Sequence, residues 1–206
     1  MKSAIRAVAV ALVLAPALAL GQVSTWDFDS AHSHASFVVS HMVVSKVRGD
    51  FGKMTGTLTL DEKDPTKSKV EATIDATSID TREPKRDEHL RSPDFFDVAK
   101  YPSITFKSAK VEKAKDGLKV TGELTMRGVT KTVVLDVKGP TAEIKDPWGK
   151  TRRGASATTK LNRQDYGVAW SKLIEGGGAV VGNEVAVEIE LELVKQEPAK
   201  AEPAKK

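Results

Sequence analysis

Histidines give the chain its one spacing that is typical of a metal site. His32 and His34 are two residues apart, and side chains at that spacing share one face of a β-strand. His41 and His89 could complete a zinc site with three or four nitrogen ligands. On a regular strand, however, His41 points away from His32 and His34, because its number has the opposite parity. We therefore predict histidines that form local hydrogen bonds, and neither a metal site nor a catalytic residue.

Sequence motifs of known enzyme classes are absent from the chain. It contains no G-x-S-x-G, Walker, H-E-x-x-H or dinucleotide-binding glycine motif. The absence of cysteine excludes a disulfide framework, a thiol nucleophile and cysteine-ligated zinc or iron–sulfur sites. We predict that the protein is not an enzyme and has no cofactor. A hydrolase or isomerase that uses His32, His34 or His89 is kept as an alternative.

Both ends of the sequence differ in composition from its middle. Lys2 and Arg6 precede an apolar run over residues 7–20, which is typical of a secretory signal peptide and shorter than the roughly 20 residues that a bilayer requires. We predict a signal peptide over residues 1–21, export, and no membrane-spanning segment. Residues 195–206 repeat Pro, Ala, Lys and Glu, a composition that predicts a disordered tail.

The net charge of +4 comes from these two ends. Because each end supplies half of it, the predicted domain over residues 22–194 is close to neutral. A basic character that arises in this way does not indicate nucleic-acid binding, and we predict no nucleic-acid partner. A structural envelope protein that is tethered through the basic tail is a further alternative.

Alternating apolar and polar residues run through the middle of the chain. Residues 184–194 read E-V-A-V-E-I-E-L-E-L-V, which puts large aliphatic residues on one face of a strand and glutamates on the other. This alternation, or a weaker form of it, predicts eight strands, at residues 35–43, 48–60, 70–77, 103–111, 118–126, 133–138, 154–161 and 184–194. A short helix is predicted over residues 84–92, capped by Thr81 and ended by Pro93.

These elements predict an all-β fold. Eight mostly antiparallel strands, each apolar on one face, favour a closed or nearly closed barrel, and a two-sheet sandwich is the alternative. A barrel of this size either fills its interior with side chains or holds one small ligand. Ala35, Ala72, Ala76 and Gly122 are small residues on the predicted inward face, so they leave volume for a ligand.

Seven blocks of the sequence stand out as a set. They are W-D-F-D-S-A-H-S-H-A-S-F-V-V-S-H at 26–41, S-K-V-R-G-D-F at 45–51, A-T-S-I-D-T at 76–81, K-R-D-E-H-L-R-S-P-D-F-F-D-V at 85–98, Y-P-S-I-T-F-K-S at 101–108, G-E-L-T-M-R-G-V-T-K at 122–131 and L-N-R-Q-D-Y-G-V at 161–168. Together they closely resemble the YceI-like family of lipid- and polyisoprenoid-binding proteins, over residues 24–194. The resemblance implies an extended, lipocalin-like antiparallel barrel in the periplasm that encloses a long lipid chain. It implies no shared catalytic mechanism, and it allows a homodimer.

Strand parity and this resemblance suggest two sets of site residues. The side chains expected to contact the lipid chain are Phe37, Val39, Ile74, Phe95, Phe106, Leu124, Leu135 and Ile189. The polar residues expected to hold the head group at the mouth are Arg86, Asp87, Asn162, Arg163 and Tyr166; a solvated helix face and a turn are the other interpretation of the polar pairs among them. The predicted function is binding of a long-chain polyisoprenoid or related amphiphilic lipid, a quinone among them, for sequestration or transport.

Overall fold

The computed structural model describes residues 23–197. The predicted signal peptide, and residues 198–206 of the predicted tail, lie outside the described residues. Within them, the chain forms twelve strands, one α-helix and three short 3-10 helices. No helix in this part of the chain is long and apolar enough to cross a membrane.

Strands make up most of the described chain. They are β1 (Val23–Phe28), β2 (His34–His41), β3 (Ser45–Phe51), β4 (Met54–Asp61), β5 (Lys69–Asp75), β6 (Ile79–Asp80), β7 (Ser103–Ala114), β8 (Gly117–Met126), β9 (Val129–Lys138), β10 (Ile144–Lys145), β11 (Thr151–Asn162) and β12 (Val181–Lys195). Helix α1 (Pro84–Arg91) lies between β6 and β7. The 3-10 helices are Pro65–Lys67, Ala76–Ser78 and Arg163–Tyr166.

Eight of the described strands close into a ring of antiparallel pairs. Their order is β11-β9-β8-β7-β5-β4-β1-β12, and β12 returns to pair with β11. The closing pair is the longest in the barrel and runs from Arg152↔Val194 to Asn162↔Glu184. Closure leaves no unpaired edge in the ring, which is what an all-β protein requires to avoid edge-to-edge association. The predicted eight-stranded antiparallel barrel with one short helix is confirmed.

Strand β12 pairs with two strands in succession along its other side. β1 pairs with its last residues, as in Phe28↔Leu193, and β2 pairs with its earlier residues, as in Phe37↔Val187. Strands β3 and β6 follow β2 in the sheet. The wall therefore continues beyond the ring along β12, which lengthens the space that the sheet encloses.

Three of the differences between the predicted and observed strands affect the wall of the barrel. The alternation pattern misses β1, because Val23 faces outward and Trp26 and Phe28 are its buried side chains. The predicted strand over residues 48–60 is two strands, β3 and β4, which pair with different neighbours. Strand β2 ends at His41 and not at residue 43, since the next two residues adopt left-handed backbone angles that turn the chain.

Helix α1 confirms the predicted helix but not its predicted cap. The side chain of Glu83, and not that of Thr81, accepts a hydrogen bond from the backbone N of Lys85 in the first turn. Thr81 instead donates from its backbone N and its hydroxyl to the buried carboxylate of Asp87. These bonds fasten the helix to the segment that follows β6, so that Leu90 packs into the core.

Side chains fill the barrel at the end where β12 finishes. Trp26 is fully buried there and packs against Phe28 and Leu193. The cationic groups of Arg153 and Lys195 lie over its indole ring, 5.1 and 5.4 Å from the ring centroid. Such cation–π contacts cover the ring from solvent, and the interior is closed at this end.

Candidate functional site

An apolar cavity occupies the interior of the barrel. Its wall is formed by side chains from all eight strands of the ring and from β2, β3 and the segment after α1. Strand β1 contributes one of these residues, Phe28. The volume open to the centre of a water-sized sphere is about 250 Å³.

The cavity is long and narrow. Six residues of β12 line it, from Val181 to Leu193, a path of about 40 Å along the strand at ~3.3 Å per residue. Because barrel strands are tilted by about 35–45° to the barrel axis, this path corresponds to roughly 30 Å along the axis. An even channel of this length and volume would have a radius of about 3.0 Å once the ~1.4 Å radius of the sphere is included. That width admits a single extended hydrocarbon chain but not a folded pair of chains.

All eight residues predicted to contact a lipid chain border this cavity. They are Phe37, Val39, Ile74, Phe95, Phe106, Leu124, Leu135 and Ile189. Parity places them there, because alternate side chains of a strand point to the same face. Phe95, which is not on a strand, reaches the cavity because the turn after α1 directs it back to the barrel. Their position is established, and their contact with a lipid stays a prediction.

Several cavity residues lie outside that predicted set. Phe28, Phe51 and Met54 are buried and line the wall. Phe28 belongs to the strand that the alternation pattern misses, and Phe51 and Met54 flank the turn inside the segment predicted as one strand. The signal that could have found them is the break G-K after Phe51, which separates two shorter alternating runs.

Small inward residues do not all enlarge the cavity. Ala35 and Ala72 line it, whereas Ala76 is buried in the surrounding core. A Cβ atom on Gly122 would lie 2.4 Å from the Cζ of Phe106. The phenylalanine ring therefore takes the space above the glycine on the neighbouring strand, and Gly122 leaves volume for that ring and not for a ligand.

Arg163 is the one member of the predicted head-group set that borders the cavity. It is 5% exposed, and burial lowers the pKa of its guanidinium. Its donors are directed to backbone carbonyl oxygens, at Val168, Trp170, Val181 and Gly182. No carboxylate of the described chain forms an ion pair with it, so these carbonyl oxygens and the side-chain oxygen of Asn183 are the groups that stabilise its positive charge beside the apolar channel.

Three other members of that set serve local structure. Arg86 donates to the hydroxyl and carbonyl oxygens of Thr81, and Asp87 accepts from the same residue. The Asn162 side chain caps the 3-10 helix by accepting from the backbone N of Gln164. The structure therefore does not bring the predicted head-group residues together at one mouth, because these three side chains form hydrogen bonds with neighbouring residues of the chain.

Tyr166 differs from these three. Its side chain is 2% exposed and packs with Phe51, Ile104 and Met126, all of which line the cavity. Its hydroxyl has no hydrogen-bond partner, and burial together with the nearby Asp165 raises its pKa. A buried hydroxyl without a partner is costly, and this one belongs to a residue that packs directly behind the cavity wall without lining the cavity itself.

The histidines do not converge on one site. His34 and His41 stand at opposite ends of β2, about 23 Å apart at ~3.3 Å per residue. His89 bonds Asp94 at 2.8 Å and packs edge-on against Phe95 and Trp170. These placements offer no shared metal or catalytic centre for the four histidines.

One group of possible metal ligands occurs among the described residues. It consists of Asp29, His32 and Glu192. Arg152 donates to both of these carboxylates and also to Asp146. The arginine holds the pKa of Asp29 down, to about 2, so a cationic side chain already occupies the position that a metal ion would take.

Comparisons with known proteins agree on one family. A family model described as the YceI-like domain matches residues 26–193. Protein YceI of Escherichia coli is 43% identical over 142 residues, which is 69% of this chain and 74% of that protein. The crystal structure of a Campylobacter jejuni YceI protein superposes with a TM-score of 0.64 at 31% identity, covering 77% of this chain and 90% of that one.

A more distant structure shares the fold. It is described as a polyisoprenoid binding domain from Saccharophagus degradans that is implicated in plant cell wall breakdown. It superposes with a TM-score of 0.60 at 17% identity and covers 85% of this chain and all of that one. At this identity the likeness establishes the barrel architecture.

Proposed function

The chain belongs to the YceI-like family, and from that premise we propose that it binds the hydrocarbon chain of an isoprenoid or related amphiphilic lipid inside the barrel. The observation that carries the proposal is the cavity, which is apolar, roughly 30 Å long along the barrel axis and wide enough for one extended chain. The polyisoprenoid-binding description of the distant structural relative supports the same ligand class.

The energetics of burial favour a long chain over a short one. Burying one methylene stabilises by about 0.8 kcal/mol, so a five-carbon isoprene unit contributes roughly 3–4 kcal/mol before costs. Association costs about 4–15 kcal/mol, which one or two units do not offset. We therefore propose a ligand of several isoprene units.

The polar end of the ligand is proposed to lie near Arg163 and Tyr166. The first contributes a buried positive charge, and the second contributes a hydroxyl without a partner. Both favour an oxygen-rich or anionic head group, and a quinone carbonyl is one such group. The same proposal includes sequestration or transport of the lipid in the periplasm and a homodimer, for which the family resemblance is the support.

Mass spectrometry of an organic extract tests the proposal. The native protein is expected to release a lipid with an isoprenoid chain, and delipidated protein is expected to bind geranylgeraniol more tightly than farnesol, and farnesol more tightly than geraniol. A preparation that holds no lipid and does not discriminate between these alcohols contradicts the proposal.

Two neighbouring positions on β11 supply a matched control. Ala157 lines the cavity and is buried, whereas Thr158 points outward and is exposed. Replacing Ala157→Phe is expected to block uptake of geranylgeraniol, and replacing Thr158→Phe is expected to leave it unchanged. Equal uptake by both variants, each verified as folded by circular dichroism, would show that the lipid binds elsewhere.

A further inference from the structure

Two loops place uncovered aliphatic side chains next to each other. The turn between β2 and β3 exposes Met42, Val43 and Val44 by 40%, 73% and 81%, and the loop before β12 exposes Leu173 by 88%. The backbone N of Met42 donates to the carbonyl oxygen of Val180 at 2.9 Å, which joins the two loops. These four exposed residues are called the apolar tip.

The backbone of the turn is costly for the residues that it carries. Met42 and Val43 have φ angles of 50° and 63°, in the left-handed region that a β-branched residue rarely adopts and that Asn or Gly adopts more easily. Neither turn formation nor core packing accounts for aliphatic residues there, since their side chains are exposed. A strained, exposed and apolar turn points to a binding surface.

The apolar tip is smaller than a standard interface between two copies of the chain. Such an interface uses about 20–30 residues on each side, and the apolar tip has four. Binding to a lipid bilayer requires a smaller apolar surface, because a few apolar side chains that enter the interface next to cationic residues are enough for reversible binding. Lys46 is exposed at the start of β3, next to the turn, and Lys172 is exposed on the loop before β12. Glu175 is the one acidic residue on these two loops.

We propose that the apolar tip inserts into the surface of a lipid bilayer. The tip is adjacent to the cavity wall, because Val39 lies three residues before Met42 and Val181 follows Val180, and both valines line the cavity. Docking would therefore bring this end of the channel to the membrane, so that a lipid tail passes between the bilayer and the barrel without crossing water. This role rests on the proposed function, since it describes how the cavity is loaded.

Flotation of the whole protein with lipid vesicles tests the docking surface. Vesicles of phosphatidylethanolamine and phosphatidylglycerol are expected to carry the native protein upward in a density gradient. The double variant Val43→Asn, Leu173→Ser is expected to lower the bound fraction at least fivefold, and Asn suits the left-handed backbone at position 43, so folding is preserved. Val134→Ser, which alters an exposed valine on β9, is the matched control and is expected to bind as the native protein does.

Three results would overturn the docking proposal. The first is that the native protein does not float with vesicles, and the second is that the tip variant floats as well as the native protein. The third is that the native protein does not bind vesicles and the tip variant differs from it in sedimenting mass, which would assign the apolar tip to a protein contact. Failure of the proposed function is separable, because geranylgeraniol supplied in detergent reports on the cavity alone. The tip variant is expected to bind it at native affinity but to take it up from vesicles several-fold more slowly.

Discussion

The Nη2 atom of Arg163 donates a hydrogen bond to the carbonyl oxygen of Val181 across 3.1 Å. The other guanidinium donors reach carbonyl oxygens at Val168 and Trp170, so one side chain holds both ends of the segment that runs from Val168 to Val181. That segment carries Leu173 of the apolar tip and borders the cavity at its two ends. Arg163 thus links the wall of the channel to the surface that we propose docks on a membrane.

Replacing Arg163→Met is expected to destabilise the protein by about 2–4 kcal/mol, because several buried carbonyl oxygens lose their donors. Arg163→Lys is expected to rescue little of this loss, since an ammonium group does not reproduce the planar fork of a guanidinium. Urea unfolding measures both. Lys160→Met is the control: it removes an exposed cation paired with Glu184, and its expected effect is below about 1 kcal/mol. If Arg163→Met lowers the free energy of unfolding by no more than the control does, Arg163 does not hold this segment in place.

The change Tyr166→Phe separates a structural role from a ligand-binding role. Because the buried hydroxyl has no partner, its removal is expected to raise the stability of the delipidated protein by about 1 kcal/mol. The same change is expected to weaken binding of the lipid recovered from the native protein, because an oxygen atom of the lipid loses a hydrogen bond from this hydroxyl. Thermal unfolding with and without the lipid distinguishes the two effects. A delipidated variant that is less stable than the native protein would show that the hydroxyl is already satisfied.

Filling the channel at its midsection is expected to abolish lipid binding without changing the outer surface. Leu135 is buried on the cavity side of β9, and its neighbour Val134 is exposed on the other side. Leu135→Trp is expected to reduce bound lipid at least tenfold, whereas Val134→Trp is expected to retain it. Moles of extracted lipid per mole of protein, determined by mass spectrometry, are the measurement. Retention of lipid by a folded Leu135→Trp variant would place the ligand outside the barrel.

Acid is expected to weaken the fold through the cluster around Arg152. Pairing with Arg152 lowers the pKa of Asp29 to about 2 and lowers that of Asp146 as well. A carboxylate whose folded pKa is depressed contributes stability above its unfolded pKa, near 4, and loses it as the pH falls through the folded value. The free energy of unfolding should therefore decline between about pH 4 and pH 2.

The variant Arg152→Met isolates this contribution. It is expected to be less stable than the native protein at pH 7, because three carboxylates lose their partner, and to show a shallower decline between pH 4 and pH 2. Urea midpoints measured across this range give both quantities. Parallel curves for the two proteins would mean that other groups cause the acid sensitivity.

Strand parity is a local property of the chain, and most residues of the barrel wall could therefore be predicted from the sequence. Alternate side chains of a strand face the same way whatever lies around them. Seven of the eight predicted wall residues, from Phe37 on β2 to Ile189 on β12, face the cavity for this reason, and Phe95 reaches it from the turn after α1. Helix α1 was predictable on similar grounds, because Pro84 and Pro93 bound a short run of helix-forming residues.

Contacts between distant parts of the chain determine three features that the sequence pattern does not show. These are the closure of the ring, the surroundings of the predicted head-group residues and the position of the apolar tip. Strand β1 has too little alternation to be recognised alone, and it joins the ring because Phe28 pairs with Leu193. Arg86 and Asp87 were predicted as free polar groups, but Thr81 engages both. Local pattern determines which way a side chain points, whereas what it meets depends on pairings between residues as far apart as Phe28 and Leu193, and tertiary structure alone sets these.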